Sequence, residues 1–392
     1  MMIPRQAAAT ALELARGFPI VALTGPRQSG KTTLARALFG EHAYVTLEDP
    51  EQREFATNDP KRFLARFEGG LILDEVQRCP ELFSWLQGIV DGEPGMGRFV
   101  LTGSQEFGLR AGITQSLAGR VGLVHLLPLS LNELGGAGLL PASPDEAMTL
   151  GGYPPVHDRD LAPRLWFPNY VNTYLERDVP QLLEVRNREQ FQRFVRLCAA
   201  HTGQLLNLSA IGADCGVSHV TAKEWLNVLE ASFLVVRVPP YFRNFGKRLV
   251  KRPKLYFVDV GLAAWLLGIR DAETLNAHPL RGALFETLVV SEMFKSRFNA
   301  GEPAELYFWR DHVGHEVDLV WERNGRLNAM EIKSGATFAR DWLDGITRWK
   351  RVTGEARMDA VLVYGGDETF MREDVEVRSW RGIVAEGKAG ER

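Results

Sequence analysis

Charge of one sign is what this sequence lacks: 46 basic residues stand against 49 acidic ones, for a formal net charge of −3. No global positive field steers the chain to nucleic acid, so any nucleic-acid surface must be a local patch. Cysteine is also scarce. Cys79, Cys198 and Cys215 lie far apart and form no CxxC pair, which indicates neither a disulfide frame nor a zinc site. Reduced thiols in a cytoplasmic setting are the expectation. Long apolar runs are missing too, so no bilayer span and no membrane partner is expected. The first residues carry Arg5 and then an Ala-rich helical stretch with Glu13 and Arg16, which gives no expectation of a secretory leader. Internal repeats and low-complexity segments are absent.

What is present is ordinary in composition, with 45% hydrophobic and 24% charged residues, as in soluble globular proteins. A length of 392 residues exceeds one ordinary core, so two or three domains is the starting expectation. Residues 4–16 pattern as an amphipathic helix. "FPIVALTG" (18–25) is a buried strand running into a glycine turn, and "KTTLARALFG" (31–40) is a helix stopped by Gly40. "GLILDEV" (70–76) and "RFVLTGS" (98–104) are two further strands ending in polar residues. Strands alternating with helices, with polar groups at the strand ends, predict a mostly parallel sheet with its site at that edge. "GGAGLLPASPDE" (135–146) is the clearest break. Beyond it, 161–235 is mostly helical, 234–260 is strand-rich, and about 280–392 reads as α+β.

"GPRQSGKT" (25–32) fills the pattern GxxxxGK[ST] between a strand and a helix. Such a loop closes backbone N–H groups around phosphate oxygens at a helix N-terminus that already favours an anion. The ATP cradle is therefore expected at Gly25, Pro26, Arg27, Gln28, Ser29, Gly30, Lys31, Thr32 and Thr33. Lys31 would reach the β/γ-phosphates and Thr32 would ligate Mg2+. In "LILDE" (71–75), Asp74 ends an apolar strand and would hold Mg2+ through water. Glu75 would polarise the attacking water, which favours hydrolysis over mere nucleotide binding. ATP and Mg2+ are the expected cofactors. Thr102 and Ser104 end the next strand, either as sensors of the γ-phosphate or as a plain polar strand cap. Arg120, in "QSLAGRV" (115–121), is either an arginine finger acting on a neighbouring subunit's nucleotide or an ordinary salt-bridged surface arginine.

"LTGPRQSGKTTLAR", "LILDEVQRCPEL", "LTGSQ", "SLAGRV…LLPLSLNEL" and "YLERDVPQL" together resemble the prokaryotic AAA-type ATPases that carry a C-terminal DUF4143 domain. The resemblance runs over roughly 15–335. It implies an α/β fold: a P-loop AAA+ ATPase domain (1–135), a helical lid or linker (136–190), a winged-helix domain (191–270), and an α+β PD-(D/E)xK nuclease-like domain (271–392). One departure stands out. The sensor strand ends in Thr102-Gly103-Ser104 where AAA+ proteins usually have asparagine.

"LLNLSAIGADCGVSHVTAKEWLNVLEASFLVVRVPPY" (205–241) has the order helix, turn, helix, hairpin. Leu208, Ile211 and Ala213 mark a first helix ended by Gly216. Ser218 is the N-cap of a second, in which Val220, Trp225, Val228 and Leu229 are expected inside and His219, Thr221, Lys223 and Asn227 outside. "YFRNFGKRLVKRPK" (241–254) then brings Arg243, Lys247, Arg248, Lys251, Arg252 and Lys254 with no acid. A basic wing beside a helix-turn-helix outlines a phosphate-backbone surface. The alternative is a protein-binding module with a solvated charge run.

"GHEVDLVWERNGRLNAMEIKSG" (314–335) reads as a hairpin about Asn324-Gly325. Asp318 then faces Glu331, Glu316 faces Lys333 and Val320 faces Ala329. Val317/Ile332 and Leu319/Met330 lie on the other, buried side. Opposed carboxylates repel, and a hard cation between them removes the conflict. Asp318 and Glu331 would hold that ion, Lys333 would orient the attacking water, and Glu286 on a helix over 281–294 would complete the set. This order resembles the PD-(D/E)xK nuclease pattern. The alternatives are a DNA-binding platform without turnover and a solvated strand face.

The leading expectation is a homo-oligomeric ATPase, a ring being one form of the assembly, that binds DNA and remodels or translocates it. A nucleotide-switched regulator of a protein partner and an ATP-gated nuclease are the rivals.

Overall fold

The computed structural model describes residues 2–92, 95–103, 116–179, 187–241, 251–311, 313–354 and 359–383. The chain divides into two compact units. One is Met1–Leu129 with Ala231–Phe233 and Arg297–Pro303; the other is Ser130–Glu230 with Leu234–Ser296 and Ala304–Arg392.

The first unit is a doubly covered sheet. After helix α1 (Ala7–Gly17), β1 (Ile20–Thr24) leads through the loop into α2 (Lys31–Leu38), followed by β2 (Ala43–Thr46), β3 (Leu71–Asp74), α3 (Leu82–Gly92), β4 (Phe99–Gly103) and β5 (Val121–His125). The strands lie in the order β2-β3-β4-β1-β5, every pair parallel. Ile20, Ala22, Leu71, Leu73, Phe99 and Leu101 pack on one face against Phe63, Phe83 and Leu86. Val21, Leu23, Ile72 and Val100 pack on the other against Ala7, Ala11, Leu34 and Ala35. Burial on both faces explains why these strands are continuous apolar runs rather than alternating ones. In the register, Thr24 pairs with Gly103 and His125, and Thr46 with Asp74, so the polar strand ends meet at one edge. The outer strands β2 and β5 are half-buried and less apolar, and their pattern does not stand out in the sequence.

The second unit holds two sheets. Helix α4 (Arg188–Ala200), β6 (Gln204–Leu205), α5 (Leu208–Cys215), α6 (His219–Ala231), β7 (Val235–Val238) and β8 (Lys254–Phe257) form a helical cluster with an antiparallel sheet in the order β6-β8-β7. Gly216 closes α5 at φ 70°, and Ser218 Oγ accepts from Thr221 N at 3.1 Å at the start of α6. Val220 departs from the expected inward face. It is 63% exposed, while Ala222, Trp225, Leu226 and Leu229 are buried instead. Val220 lies in the first turn, where the helix presents its start to solvent.

Beyond α7 (Arg281–Asn299), a six-stranded mixed sheet runs β13-β14-β12-β11-β10-β9, made of β9 (Tyr307–Arg310), β10 (Glu316–Arg323), β11 (Arg326–Lys333), β12 (Asp359–Tyr364), β13 (Phe370–Arg372) and β14 (Val375–Ser379). Helix α8 (Asp344–Thr353) packs Trp349 on Val320, Leu327 and Ala329, and Ile346 on Leu362 and Val377. The hairpin turns at Asn324 (φ 51°) and Gly325 (φ 72°). Its register, Leu319 to Met330 and Val320 to Ala329, is the one that turn implies. The charged side is not open to solvent, however. Asp318 is 8% and Glu331 7% exposed. Gly345 on α8 lets the helix approach so closely that a Cβ there would lie 2.9 Å from Glu331 Oε2. Among the described residues, no helix is long and apolar enough to cross a membrane.

Candidate nucleotide site and acidic centre

The loop between β1 and α2 needs backbone that only glycine tolerates. Gly25 sits at φ 147°, and a Cβ there would collide with the Leu126 carbonyl; Gly30 is left-handed at φ 96°. Lys31 is buried, and its ammonium donates to the Gly25 carbonyl at 3.0 Å and the Pro26 carbonyl at 2.8 Å. Burial pushes its pKa down to about 8, against the pull of Glu75 and Asp74 and with a small push from Arg27. The loop is also braced from outside. Arg5 donates to the Ser29 carbonyl and to the Leu127 carbonyl, each at 2.6 Å.

Asp74, at the end of β3, gathers hydroxyl donors. Thr32 Oγ1 lies 3.0 Å from Oδ1 and 3.2 Å from Oδ2, Tyr44 Oη donates to Oδ2 at 2.8 Å, and Thr102 Oγ1 donates to Oδ1. Burial, followed by the Asp74 carboxylate, pushes the Tyr44 phenol up to about 12. Thr32, in the first turn of α2, and Asp74, at the end of β3, are paired hard oxygen donors, a set that fits Mg2+. Glu75 takes a left-handed backbone at φ 55°, and Gln77 donates to its carboxylate. Ser104 lies outside the described residues. Arg120 precedes β5, at the sheet edge where the strands begin rather than where the loop lies. It forms a two-pronged pair with Asp91 of α3, Nε to Oδ1 at 2.6 Å and Nη2 to Oδ2 at 2.8 Å.

In the second unit two of the expected nuclease-like residues, Glu286 and Asp318, meet together with Glu316. Oxygens of Glu286, Glu316 and Asp318 come within 4.8 Å of one another. Lys254 stands among them, 2.8 Å from Glu286, paired with Glu316 and 3.9 Å from Asp318. Tyr256 donates to Glu286 at 2.5 Å. Glu331 pairs with Lys333 rather than joining that triad, and Ile332 N donates to Asp318 Oδ2 at 2.8 Å. Burial, then the Glu331 charge, holds the Asp318 carboxyl well above the carboxylate range; burial pushes Glu331 up to about 7 against the pull of Lys333.

The expected nucleic-acid residues separate. On α6, His219 and Lys223 are exposed and Thr221 half-buried. Lys251 and Arg252 are exposed, while Arg243, Lys247 and Arg248 lie outside the described residues. Lys254 does not belong to that surface: it is 3% exposed, because as the first residue of β8 it points into the acidic centre. Sequence reading also passed over Arg5, a lone arginine without a motif, and Tyr44, on a short edge strand. The signal for Lys254 was available in "KLYF", a charged residue opening an apolar strand.

A parallel sheet with a glycine loop cradling a buried lysine after β1, and an Asp-Glu pair at the end of β3 with one strand between, defines a P-loop ATPase domain of the AAA type. A family model described as "AAA domain" matches residues 17–135, and models for the domains of unknown function DUF8612 and DUF4143 match 142–273 and 281–381. The chain belongs to the family of AAA-type ATPases with a C-terminal DUF4143 domain. It is 36% identical over 389 residues to the uncharacterized proteins Mb2031c of Mycobacterium bovis and Rv2008c of Mycobacterium tuberculosis, covering 96% of this chain and 83% of each relative. Among solved structures, it is similar to the Walker-type ATPase PabY2304 of Pyrococcus abyssi, with a TM-score of 0.43 at 16% identity over 68% of this chain and 96% of that one.

Proposed function

We propose that this chain hydrolyses ATP and uses the energy to remodel or translocate DNA, working as a homo-oligomer. The observation that carries the hydrolytic reading is the convergence of Lys31, Thr32 and Asp74 at one edge of the first sheet, with Glu75 next in the chain. The loop N–H groups and the Lys31 ammonium bind the phosphates. Thr32 and Asp74 hold Mg2+, which when bound offsets charge on the transferred phosphoryl group. Glu75 orients and polarises the attacking water, Thr102 and Ser104 respond to the γ-phosphate, and Arg120 leaves Asp91 to act on a neighbouring subunit's nucleotide.

The DNA reading rests on the helix-turn-helix order of α5 and α6 followed by β7 and β8, with His219, Lys223, Lys251 and Arg252 exposed on it. We read this segment as a winged helix within 191–270, linked to the ATPase core 1–135 through 136–190 and followed by the nuclease-like region 271–392. The exposed Val220 favours a second reading, in which α6 docks on a protein partner and nucleotide state controls that docking. ATP turnover with no DNA, single-stranded, duplex and four-way-junction DNA separates the two. Stimulation by one DNA form that is lost in Glu75→Gln supports the first reading, whereas turnover indifferent to every DNA form removes it.

A further inference from the structure

The acidic centre of the second unit contains its own cation. Lys254 is 3% exposed, and its ammonium touches Glu286 and Glu316 and lies 3.9 Å from Asp318. These are the carboxylates whose oxygens come within 4.8 Å of one another, the one such group of potential metal ligands among the described residues. An ammonium is a compact point charge with three donors; here it contacts two of the acids and faces the third across 3.9 Å. Tyr256, two residues further along β8, satisfies Glu286 with a second donor at 2.5 Å. Of the other acceptors, Asp318 Oδ2 takes the Ile332 N–H, Glu331 Oε1 takes Lys333, and Arg310 reaches Glu316 at 3.2 Å, while Glu331 Oε2 is buried without a hydrogen-bond partner and lies outside the Lys254 cluster. A divalent ion placed among Glu286, Glu316 and Asp318 would sit within a few ångströms of a buried positive charge, where like charges repel strongly. The donor set therefore fits an ammonium and does not fit a metal ion beside it.

We propose that Lys254 is the permanent counter-cation of the nuclease-like centre, filling the place against Glu286, Glu316 and Asp318 that a divalent ion takes in a metal-dependent nuclease, so that this chain neither loads such an ion there nor cuts DNA there. The proposal uses no residue of the nucleotide site and stands or falls apart from ATP hydrolysis. It also gives the lysine a mechanical task. Lys254 opens β8, one residue beyond the exposed Lys251 and Arg252, and its ion pairs fasten the end of the basic run to α7 and β10. Tyr241, at the start of that run, is fastened to the same sheet by its N–H, which donates to the Phe308 carbonyl at 2.7 Å. Both ends of the connection between β7 and β8 are thus tied to the six-stranded sheet.

Mn2+ alone is the probe, its binding to the nucleotide-free full chain followed by electron paramagnetic resonance. Wild type and Asp318→Asn are expected to bind the same amount. Lys254→Met is expected to gain one further ion, lost again when Asp318→Asn is added. That single variant leaves buried carboxylates without a partner, so its melting temperature should fall and recover with Mn2+. The charge-balanced variant Lys254→Met/Glu316→Gln keeps the net charge and should also gain the ion. Wild type binding one more Mn2+ than Asp318→Asn overturns the proposal. So does a folded charge-balanced variant that takes up no Mn2+, or Mn2+-dependent cleavage of DNA by wild type that Asp318→Asn abolishes.

Discussion

Thr32 presents its hydroxyl to both oxygens of Asp74, at 3.0 and 3.2 Å, while Tyr44 and Thr102 donate to the same carboxylate. Three hydroxyls thus share one anion at the place where Mg2+ is expected. A metal ion needs those lone pairs, directly or through water, and competes with the donors for them. Tyr44 is the one of the three that stands on an edge strand, outside both the loop and β4. Tyr44→Phe removes its donor and leaves the ring. A hydrogen bond to a charged group is worth about 1.5–3 kcal/mol, less here because the ring is partly exposed. The Mg2+ concentration for half-maximal ATP turnover should therefore fall about threefold. Turnover measured against Mg2+ at saturating ATP checks this, and a rise instead would mean that Tyr44 orients Asp74 for the metal.

Lys31 makes nucleotide binding a protonation event. Burial lowers its pKa to about 8, so near pH 8 about half of the nucleotide-free protein carries a neutral lysine. The folded state therefore binds fewer protons than the unfolded chain from about pH 8 up to the ordinary lysine range, and the burial cost, full below pH 8, is relieved as pH rises through that window. Phosphate oxygens favour the ammonium and raise the pKa again. ATP binding at pH 8.5 should then take up about three-quarters of a proton, and binding at pH 6.5 almost none from this group. Calorimetry in two buffers of different ionisation enthalpy reads the difference directly. Equal apparent enthalpies at pH 8.5 would contradict the lowered pKa.

Much of the nucleotide site was legible because its chemistry is written in consecutive residues: a loop of eight positions, and an Asp-Glu pair at the end of one strand. The hairpin register was legible for a similar reason, since Asn324-Gly325 permits one tight turn and the turn dictates every opposed pair. What escaped was set by packing between distant segments. Arg5 reaches the loop across 24 positions, and Tyr44 reaches Asp74 across 30. Asp318 and Glu331 are buried because α8 closes over the strands at Gly345, which nothing in "EVDLV" or "MEIK" announces. Lys254 reads in the sequence as one more member of the basic surface formed by its neighbours Lys251 and Arg252. It is instead the first residue of β8, with its ammonium among carboxylates supplied by α7 and β10.

The proposed DNA surface can be separated from the acidic centre by that same placement. Lys223, Lys251 and Arg252 are exposed, whereas Lys254 is committed to ion pairs inside the fold. Lys223→Ala/Lys251→Ala/Arg252→Ala should weaken DNA binding and reduce the slope of log affinity against log salt by roughly 0.9 for each duplex phosphate left unneutralised. ATP affinity should not move. Fluorescence anisotropy on labelled duplex across a salt series measures both the affinity and its slope. An unchanged slope would shift the weight to the protein-binding reading, for which the exposed Val220 is the natural next substitution.

Glu331 should make the stability of the second unit fall as pH rises. Its carboxyl is raised to about 7 by burial foremost, with Lys333 pulling it back and Glu316 and Glu286 adding to the rise, and Asp318 is pushed up by the same burial and by Glu331 itself. A group whose folded pKa exceeds its unfolded one binds protons preferentially in the folded state. Its contribution is complete below the unfolded pKa, near 4.3, and is lost as pH rises through about 7. Glu331→Gln cannot ionise and should flatten that slope, at the cost of the Lys333 pair. At pH 8 it should be more stable than wild type by roughly 1–3 kcal/mol, and at pH 5 the gap should close. Calorimetric melting of nucleotide-free protein between pH 5 and pH 8 gives both curves. If wild type and Glu331→Gln run parallel over that range, Glu331 is ionised throughout and the Lys333 pair, not burial, governs it.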